Sequence, residues 1–251
     1  MIRIKREAFG GFGKLAAQYD AMRPAYPKKV ISIIYKASNL RRPIILDIGC
    51  GTGISTRQLA KNGASVIGCD PDSKMLKAAS KHSMDNISYK RSKAEKLSFG
   101  DATFDIVTAF ISFHWFMNKK SINEIKRVLK PHGLLCIIQP RYALIQKDFR
   151  AILENELSVK FPKNYKISTE IIPFLAKNGF NTRRCVIKSN VRYTVDEFVM
   201  LLQSYNLWNY VHVSHRKEML DIIYKHFKKK AGKNYIRNIK DVEVIIASKM
   251  L

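Results

Sequence analysis

The sequence predicts an α/β fold, with helices flanking a mostly parallel sheet, and three observations lead there. Residues 44–53 read Ile-Ile-Leu-Asp-Ile-Gly-Cys-Gly-Thr-Gly, an apolar run of strand length that ends in glycines at alternate positions. Ile54-Ser-Thr-Arg-Gln-Leu-Ala continues it with apolar residues at helical spacing, so the segment reads as strand, tight turn, helix. Finally, Phe104-Asp-Ile-Val-Thr-Ala-Phe-Ile is nearly continuous in apolar residues, as a parallel strand buried on both faces must be.

Each further element follows in chain order. Residues 7–24 carry a short helical pattern stopped by Pro24 and Pro27, and a helix at about 28–37 leads to Arg41-Arg42 and the first strand. Ala64-Ser-Val-Ile-Gly-Cys is the second strand and ends at Asp70. The amphipathic run Lys74–Lys81 follows, with Ser73 or Asp72 as its N-cap. Ile87-Ser-Tyr-Lys-Arg is a short third strand. Ser121 is expected to cap a helix that runs to Leu129, Lys130–Gly133 to turn, and Leu134–Gln139 to form the fifth strand. Downstream, the pattern predicts a helix near 168–178, a strand around 182–191, a helical aromatic segment at 195–230 and a terminal strand from Asp241.

Composition narrows the class. The chain has 251 residues, 46% of them hydrophobic and 10% aromatic, which suits one folded domain with an insertion. The expected division is 1–40 as an N-terminal helical lid, 41–150 as the core and 151–251 as the C-terminal half. No apolar run reaches the roughly 20 residues of a membrane helix. The basic N-terminus lacks a signal-peptide core, so a cytoplasmic protein is expected. Cys50, Cys69, Cys136 and Cys185 show no CxxC spacing, which points to reduced structural thiols and no metal site. The formal charge of +25 would suit nucleic acid, an acidic membrane surface or an anionic small substrate. Its lysines are scattered, the tightest run being Lys228–Lys230, and no aromatic-basic motif accompanies them, so nucleic acid is the weaker alternative.

Glycines let backbone N–H groups and a helix N-terminus approach a ligand closely. The pattern Asp47-x-Gly49-x-Gly51-x-Gly53 differs from the G-x-G-x-x-G of dinucleotide turns. With Asp70 placed to accept from two ribose hydroxyls, the stretch resembles motif I of the class I S-adenosylmethionine (SAM)-dependent methyltransferases. That resemblance implies a Rossmann-like, seven-stranded sheet of order 3-2-1-4-5-7-6, its last strand antiparallel. It also implies SAM as cofactor and S-adenosylhomocysteine as product. Asp47, Gly49, Gly51, Gly53, Asp70 and Pro71 would then bind the cofactor, with Met75 against the adenine. Ser92-Lys-Ala-Glu-Lys-Leu-Ser-Phe resembles the family's adenine loop at Ala94 and Glu95, while Lys93 replaces a common Asp and Ser98 a common Pro. Phe110 and Ser112 close the cofactor set.

The string Tyr19-x(3)-Arg23-Pro24-x-Tyr26-Pro27 resembles small-molecule methyltransferases of the trans-aconitate type. Tyr19 and Arg23 share a helix face and would close over the cofactor, Arg23 pairing with the methionyl carboxylate; packing of Tyr19 on the sheet edge, with Arg23 solvated, is the alternative. His114, in Ser112-Phe-His-Trp-Phe, lies just past a strand end, where such sheets place chemistry. It either orients or deprotonates the methyl acceptor, or is a partly buried histidine bonded to backbone. The substrate side is expected to use Tyr26, Trp115, Arg141 and Tyr205, with the 195–230 insertion arching over it. Trp115 reads as a pocket wall or core, and Tyr205 and Trp208 read equally well as an apolar helix stripe.

Methyl transfer from a sulfonium needs alignment and a dry pocket, and a base only when the accepting atom carries a proton. The expectation is methylation of a small anionic acceptor, at a carboxylate oxygen, by a monomer or weak dimer that does not engage membranes. The neighbouring reading is O-methylation of a malonyl thioester on an acidic acyl-carrier protein, which a basic surface would steer. RNA methylation and a non-catalytic SAM-binding regulator are the remaining alternatives.

Overall fold

The structure is a computed structural model and describes residues 23, 25–142, 144–158, 160, 167–188, 190–231, 235–239 and 241–250. Two compact units divide the chain. The larger comprises 25–141, 164–187 and 242–251. In it α1 (Lys28–Ser38) precedes β1 (Ile44–Ile48), α2 (Ile54–Ala60), β2 (Ser65–Asp70), α3 (Ser73–Ser80) and β3 (Ile87–Arg91). Next come β4 (Phe104–Phe110), α4 (Lys119–Val128) and β5 (Leu129–Tyr142).

The smaller unit comprises 1–24, 142–163 and 188–241. Its first described helix is α5 (Leu144–Glu156); the chain then returns to the larger unit for α6 (Ile167–Lys177) and β6 (Phe180–Ile187). Back in the smaller unit, β7 (Asn190–Tyr193), α7 (Val195–Gln203), α8 (Arg216–Lys230) and β8 (Ile236–Ile239) follow. The last strand, β9 (Asp241–Lys249), completes the large sheet.

That sheet has seven strands in the order β3-β2-β1-β4-β5-β9-β6. With β9 as the seventh strand of the expected numbering, the order is the predicted one. β1 runs parallel to β2 and β4, and β4 parallel to β5, whereas β9 and β6 are antiparallel. One face buries Leu46, Val107, Ile137 and Ile245 under α4 and α6, whose Ile125 and Ile171 are fully buried. The other face buries Ile45, Ile106, Ile138 and Val244 with Ile34 of α1 and Leu59 of α2. Alternate strand residues serve opposite faces, so both faces must be apolar and the strands read as continuous runs.

In the smaller unit, α7 and α8 pack Phe198, Leu202, Ile223 and Phe227 together with Phe149 of α5. Thr194 starts α7 with a reciprocal capping box: its hydroxyl accepts from the Glu197 N–H (3.2 Å) and Glu197 accepts from the Thr194 N–H (2.8 Å). β7 and β8 form a separate antiparallel ribbon. Trp208 is 2% exposed among these side chains, which settles it as core.

Three local expectations change. The fifth strand starts at Leu129, and the expected turn 130–133 is a bulge: Phe104 pairs with Leu129 but Ile106 with Leu134. The strand also runs on to Tyr142, so Arg141 lies within it rather than on a loop after it. The N-cap of α4 is Asn118, not Ser121: its side-chain oxygen accepts from the Ser121 N–H at 3.0 Å. Asp72 caps α3, accepting from the Lys74 and Met75 N–H groups. The helical pattern at 7–22 lies outside the described residues.

The cap assignment is testable. Asn118→Ala is expected to destabilise the protein by about 1 kcal/mol in urea unfolding, and Ser121→Ala by less than half of that.

Candidate functional site

The site is built where β1 meets α2. Gly49, Gly51 and Gly53 have φ of 69°, 55° and 79°, the left-handed region in which glycine is unstrained. Two of them are also pressed from behind. A Cβ on Gly49 would stand 2.6 Å from the Ser112 Cβ, and one on Gly53 would run into the Tyr89 hydroxyl. Around Gly51, among the described residues and leaving out its chain neighbours, the heavy atom within 4 Å of such a Cβ is the Met75 methyl, at 3.4 Å. Among the described residues the turn is therefore supported behind Gly49 and Gly53 and left open at Gly51, as a backbone cradle for a ligand requires.

Asp47 supports it from below. The residue is 1% exposed, and its carboxylate accepts from Ser55 Oγ (2.7 Å), Thr56 Oγ1 (2.7 Å) and Thr108 Oγ1 (2.9 Å). Three hydroxyls thus tie the end of β1 to the first turn of α2 and to β4. Burial raises the Asp47 pKa from its ordinary value, and the three hydroxyls oppose that rise. Ser112 is a second brace, its Oγ donating to the Ile48 carbonyl at 2.7 Å. Both residues were expected at the cofactor, and both spend their side-chain hydrogen bonds on the turn itself.

Asp70, at the C-terminal end of β2, accepts from the Gly51 N–H (3.0 Å) on one oxygen and the Asp72 N–H (2.9 Å) on the other. Each oxygen keeps a lone pair for a further donor. Burial raises the Asp70 pKa, against the lowering effect of the two N–H groups. Met75 on α3 (6% exposed) and Ala94 in the loop after β3 (5%) are buried. Glu95 accepts from Asn118 Nδ2 at 3.1 Å, and the Pro71 carbonyl accepts from Arg91 Nε at 3.1 Å. A bare glycine turn beside a half-satisfied carboxylate fits an adenosyl ribose with its two hydroxyls. When bound, SAM supplies a methyl group already activated on a sulfonium.

At the end of β4, Phe110 is buried and its ring lies 4.7 Å from that of Tyr26. Tyr26 is held by a two-way backbone clasp: its N–H donates to Gln58 Oε1 and its carbonyl accepts from Gln58 Nε2, both at 2.8 Å. Ile111 then takes φ 51°, a costly conformation for a β-branched residue. This kink leads into a 3₁₀ turn, Phe113–Trp115. His114 there has its Nδ1 buried with no hydrogen-bond partner, and burial pushes its pKa down to about 4. The alternative of a backbone-bonded histidine does not hold for that nitrogen. Trp115 is 42% exposed, so it is not core.

The smaller unit brings Arg23 and Tyr205 together. Arg23 donates to the Ser204 carbonyl at 3.2 Å and stacks over the Tyr205 ring at 4.7 Å. Tyr19 lies outside the described residues. Gln58, Tyr89 and Ile111 are site-forming residues that the sequence reading passed over. Only tertiary contact marks the first two, and only a φ value marks the third. Among the described residues no helix is long and apolar enough to cross a membrane, and no three His, Cys, Asp or Glu side chains cluster to hold a metal. All four cysteines are free.

Two measurements check this geometry. Asp47→Ala leaves three buried hydroxyls without their acceptor and is expected to cost about 3 kcal/mol in chemical unfolding. His114 sits below its ordinary pKa, so the unfolded chain binds the proton first. Stability should therefore be full above about pH 6.5 and fall as pH drops towards 4. Relative to His114→Gln, the wild type should lose about 3 kcal/mol across that window.

Comparison with known proteins agrees with this site. The family described as "Methyltransferase domain" matches residues 46–137, from β1 to β5. A Dictyostelium discoideum protein named as a methyltransferase is 35% identical over 126 residues, which is 50% of this chain and 47% of that one. An uncharacterized methyltransferase of Mycobacterium tuberculosis is 30% identical over 134 residues, 53% of this chain and 54% of the relative. The chain thus spans about half the length of the curated relatives it matches. Among solved structures, a type II methyltransferase from Anaeromyxobacter dehalogenans superposes with TM-score 0.67 at 20% identity, over 91% of this chain and 97% of that one. Phosphoethanolamine N-methyltransferase 2 of Haemonchus contortus, solved with SAM, gives TM-score 0.57 at 18% identity, over 99% and 59%. These two likenesses concern the fold. Residues 46–137 thus match a methyltransferase domain, and the glycine turn and the strand order around them agree with that match.

Proposed function

We propose that the protein methylates a small anionic molecule, at a carboxylate oxygen, using SAM. The observation that carries this reading is the state of His114. A histidine with a pKa near 4 is neutral at physiological pH and is a weak proton acceptor. It suits an acceptor that is already ionised, which it positions through a hydrogen bond, better than a phenol or ammonium that must first lose a proton. In this reading Asp70 accepts from the ribose hydroxyls, the Gly49–Gly53 turn approaches the cofactor through backbone, and Met75 lies against the adenine. Tyr26, Trp115 and Arg141, all in the larger unit, belong to the acceptor side.

A second reading, a malonyl thioester on an acidic acyl-carrier protein, is supported by the charge of +25. It is also supported by 33% identity over 131 residues with a Cellvibrio japonicus protein named biotin biosynthesis bifunctional protein, covering 51% of this chain and 26% of that one.

The test uses purified protein, methyl-labelled SAM and a cell extract separated into small molecules, RNA and protein. Label is expected in the small-molecule fraction and lost with Asp70→Ala, which should weaken SAM binding about 100-fold through two charged hydrogen bonds. Label on a carrier protein selects the second reading. Label confined to RNA, or SAM binding with no labelling of any fraction, overturns both.

A further inference from the structure

Among the described residues, several buried side chains have polar atoms without a hydrogen-bond partner, and two of them lie on neighbouring strands of the large sheet. Gln139 on β5 is 4% exposed and its Nε2 has no hydrogen-bond partner. Glu243 on β9 is 1% exposed; Oε1 is 3.1 Å from Arg184 Nε, while Oε2 has no partner. Such groups are rare in folded proteins and each costs stability, so each calls for an explanation.

The topology brings the two together. β5 and β9 are neighbours in the sheet. Lys249, at the end of β9, donates through Nζ to the Leu129 carbonyl where β5 begins (2.8 Å), so β9 returns from the opposite end. Glu243 lies six residues before Lys249, about 20 Å back along the strand, towards the end where β5 carries Gln139. The faces agree as well. Leu135 and Ile137 of β5 share one core cluster with Ile245 and Ala247 of β9. Strand alternation puts Gln139 and Glu243 on that same face.

This is also the end at which the site opens. Ile138 pairs with Phe110, the last residue of β4, and the Ile111 N–H donates to the Ile138 carbonyl at 2.8 Å. His114 follows three residues later, in a turn whose Phe113 belongs to the same core cluster. Three adjacent strands, β4, β5 and β9, thus end in or lead to three buried polar side chains with unsatisfied atoms.

We infer that Gln139 and Glu243 form a donor–acceptor pair that recognises the methyl-accepting molecule. The Gln139 amide donates to an oxygen of that molecule, and Glu243 Oε2 accepts from a hydroxyl or amine on it. Arg184 neutralises the Glu243 charge, so an acid can approach. The inference rests on the methyltransferase reading and narrows its substrate class to hydroxy or amino acids rather than plain carboxylates.

Two experiments decide it. In thermal melting of the full chain, Gln139→Leu removes an unsatisfied donor and is expected to raise Tm by about 3 °C. A lowered Tm would show that the amide is there for stability and overturn the inference. In the second, the protein is loaded with S-adenosylhomocysteine, and saturation-transfer NMR compares lactate and serine with propionate. The donor-bearing acids should respond at least five times more strongly, and Glu243→Gln should abolish the difference while leaving the affinity for S-adenosylhomocysteine unchanged. Equal response to lactate and propionate, no response to any acid, or an undiminished preference in Glu243→Gln overturns the inference and leaves the parent reading standing. Failure of the wild type to bind S-adenosylhomocysteine removes the parent reading, and this one with it.

Discussion

The Asp47 carboxylate is the point from which the strand end and the glycine turn are assembled. It sits where β1 ends, wholly out of water, and it is held by three hydroxyls and no cation. Hydroxyls let a buried carboxylate join three elements without the desolvation of a second charge. Two of them belong to the first turn of α2, so the helix N-terminus is pinned over the strand end, and its free N–H groups favour negative charge nearby. The glycine turn is the only chain between the two, and its three left-handed residues follow from having to reverse in so short a span.

Desolvation then sets the electrostatics of the whole strand end. It raises the acids Asp47 and Asp70, lowers His114 and raises the thiols Cys50 and Cys69, always towards the neutral form. The thiols are thereby inert despite lying beside the cradle. At Asp70 two backbone N–H groups oppose the rise by stabilising its charge. A site that is dry and weakly basic suits a reaction whose reagent is already activated: it needs alignment more than proton transfer.

β5 and β9 show how polar groups enter a largely apolar sheet. Gln139 and Glu243 stand at the positions where alternation continues past the last apolar residues of β5 and β9. They follow the register of the core and are as buried as its apolar residues. The strained Ile111 serves the same transition on β4, turning the chain so that His114 leaves the strand direction.

The α/β class, the strand order implied by the motif and the glycine turn were legible along the chain. These depend on local pattern, since a strand buried on two faces must be apolar throughout and a bare turn must be glycine. Helix boundaries near 28–38, 73–80 and 167–177 were legible for the same reason. Which hydroxyls brace the turn was set by contacts between distant segments: Asp47 accepts from Ser55 and Thr108, and Ser112 donates to the Ile48 carbonyl. The bulge at 130–133 was hidden because glycine and proline mark turns and bulges alike. Glu243 stands in a segment that the sequence marks only as a terminal strand. Its burial and its ion pair with Arg184 of β6 come from strand pairing, and no pattern along the chain records a neighbour on another strand.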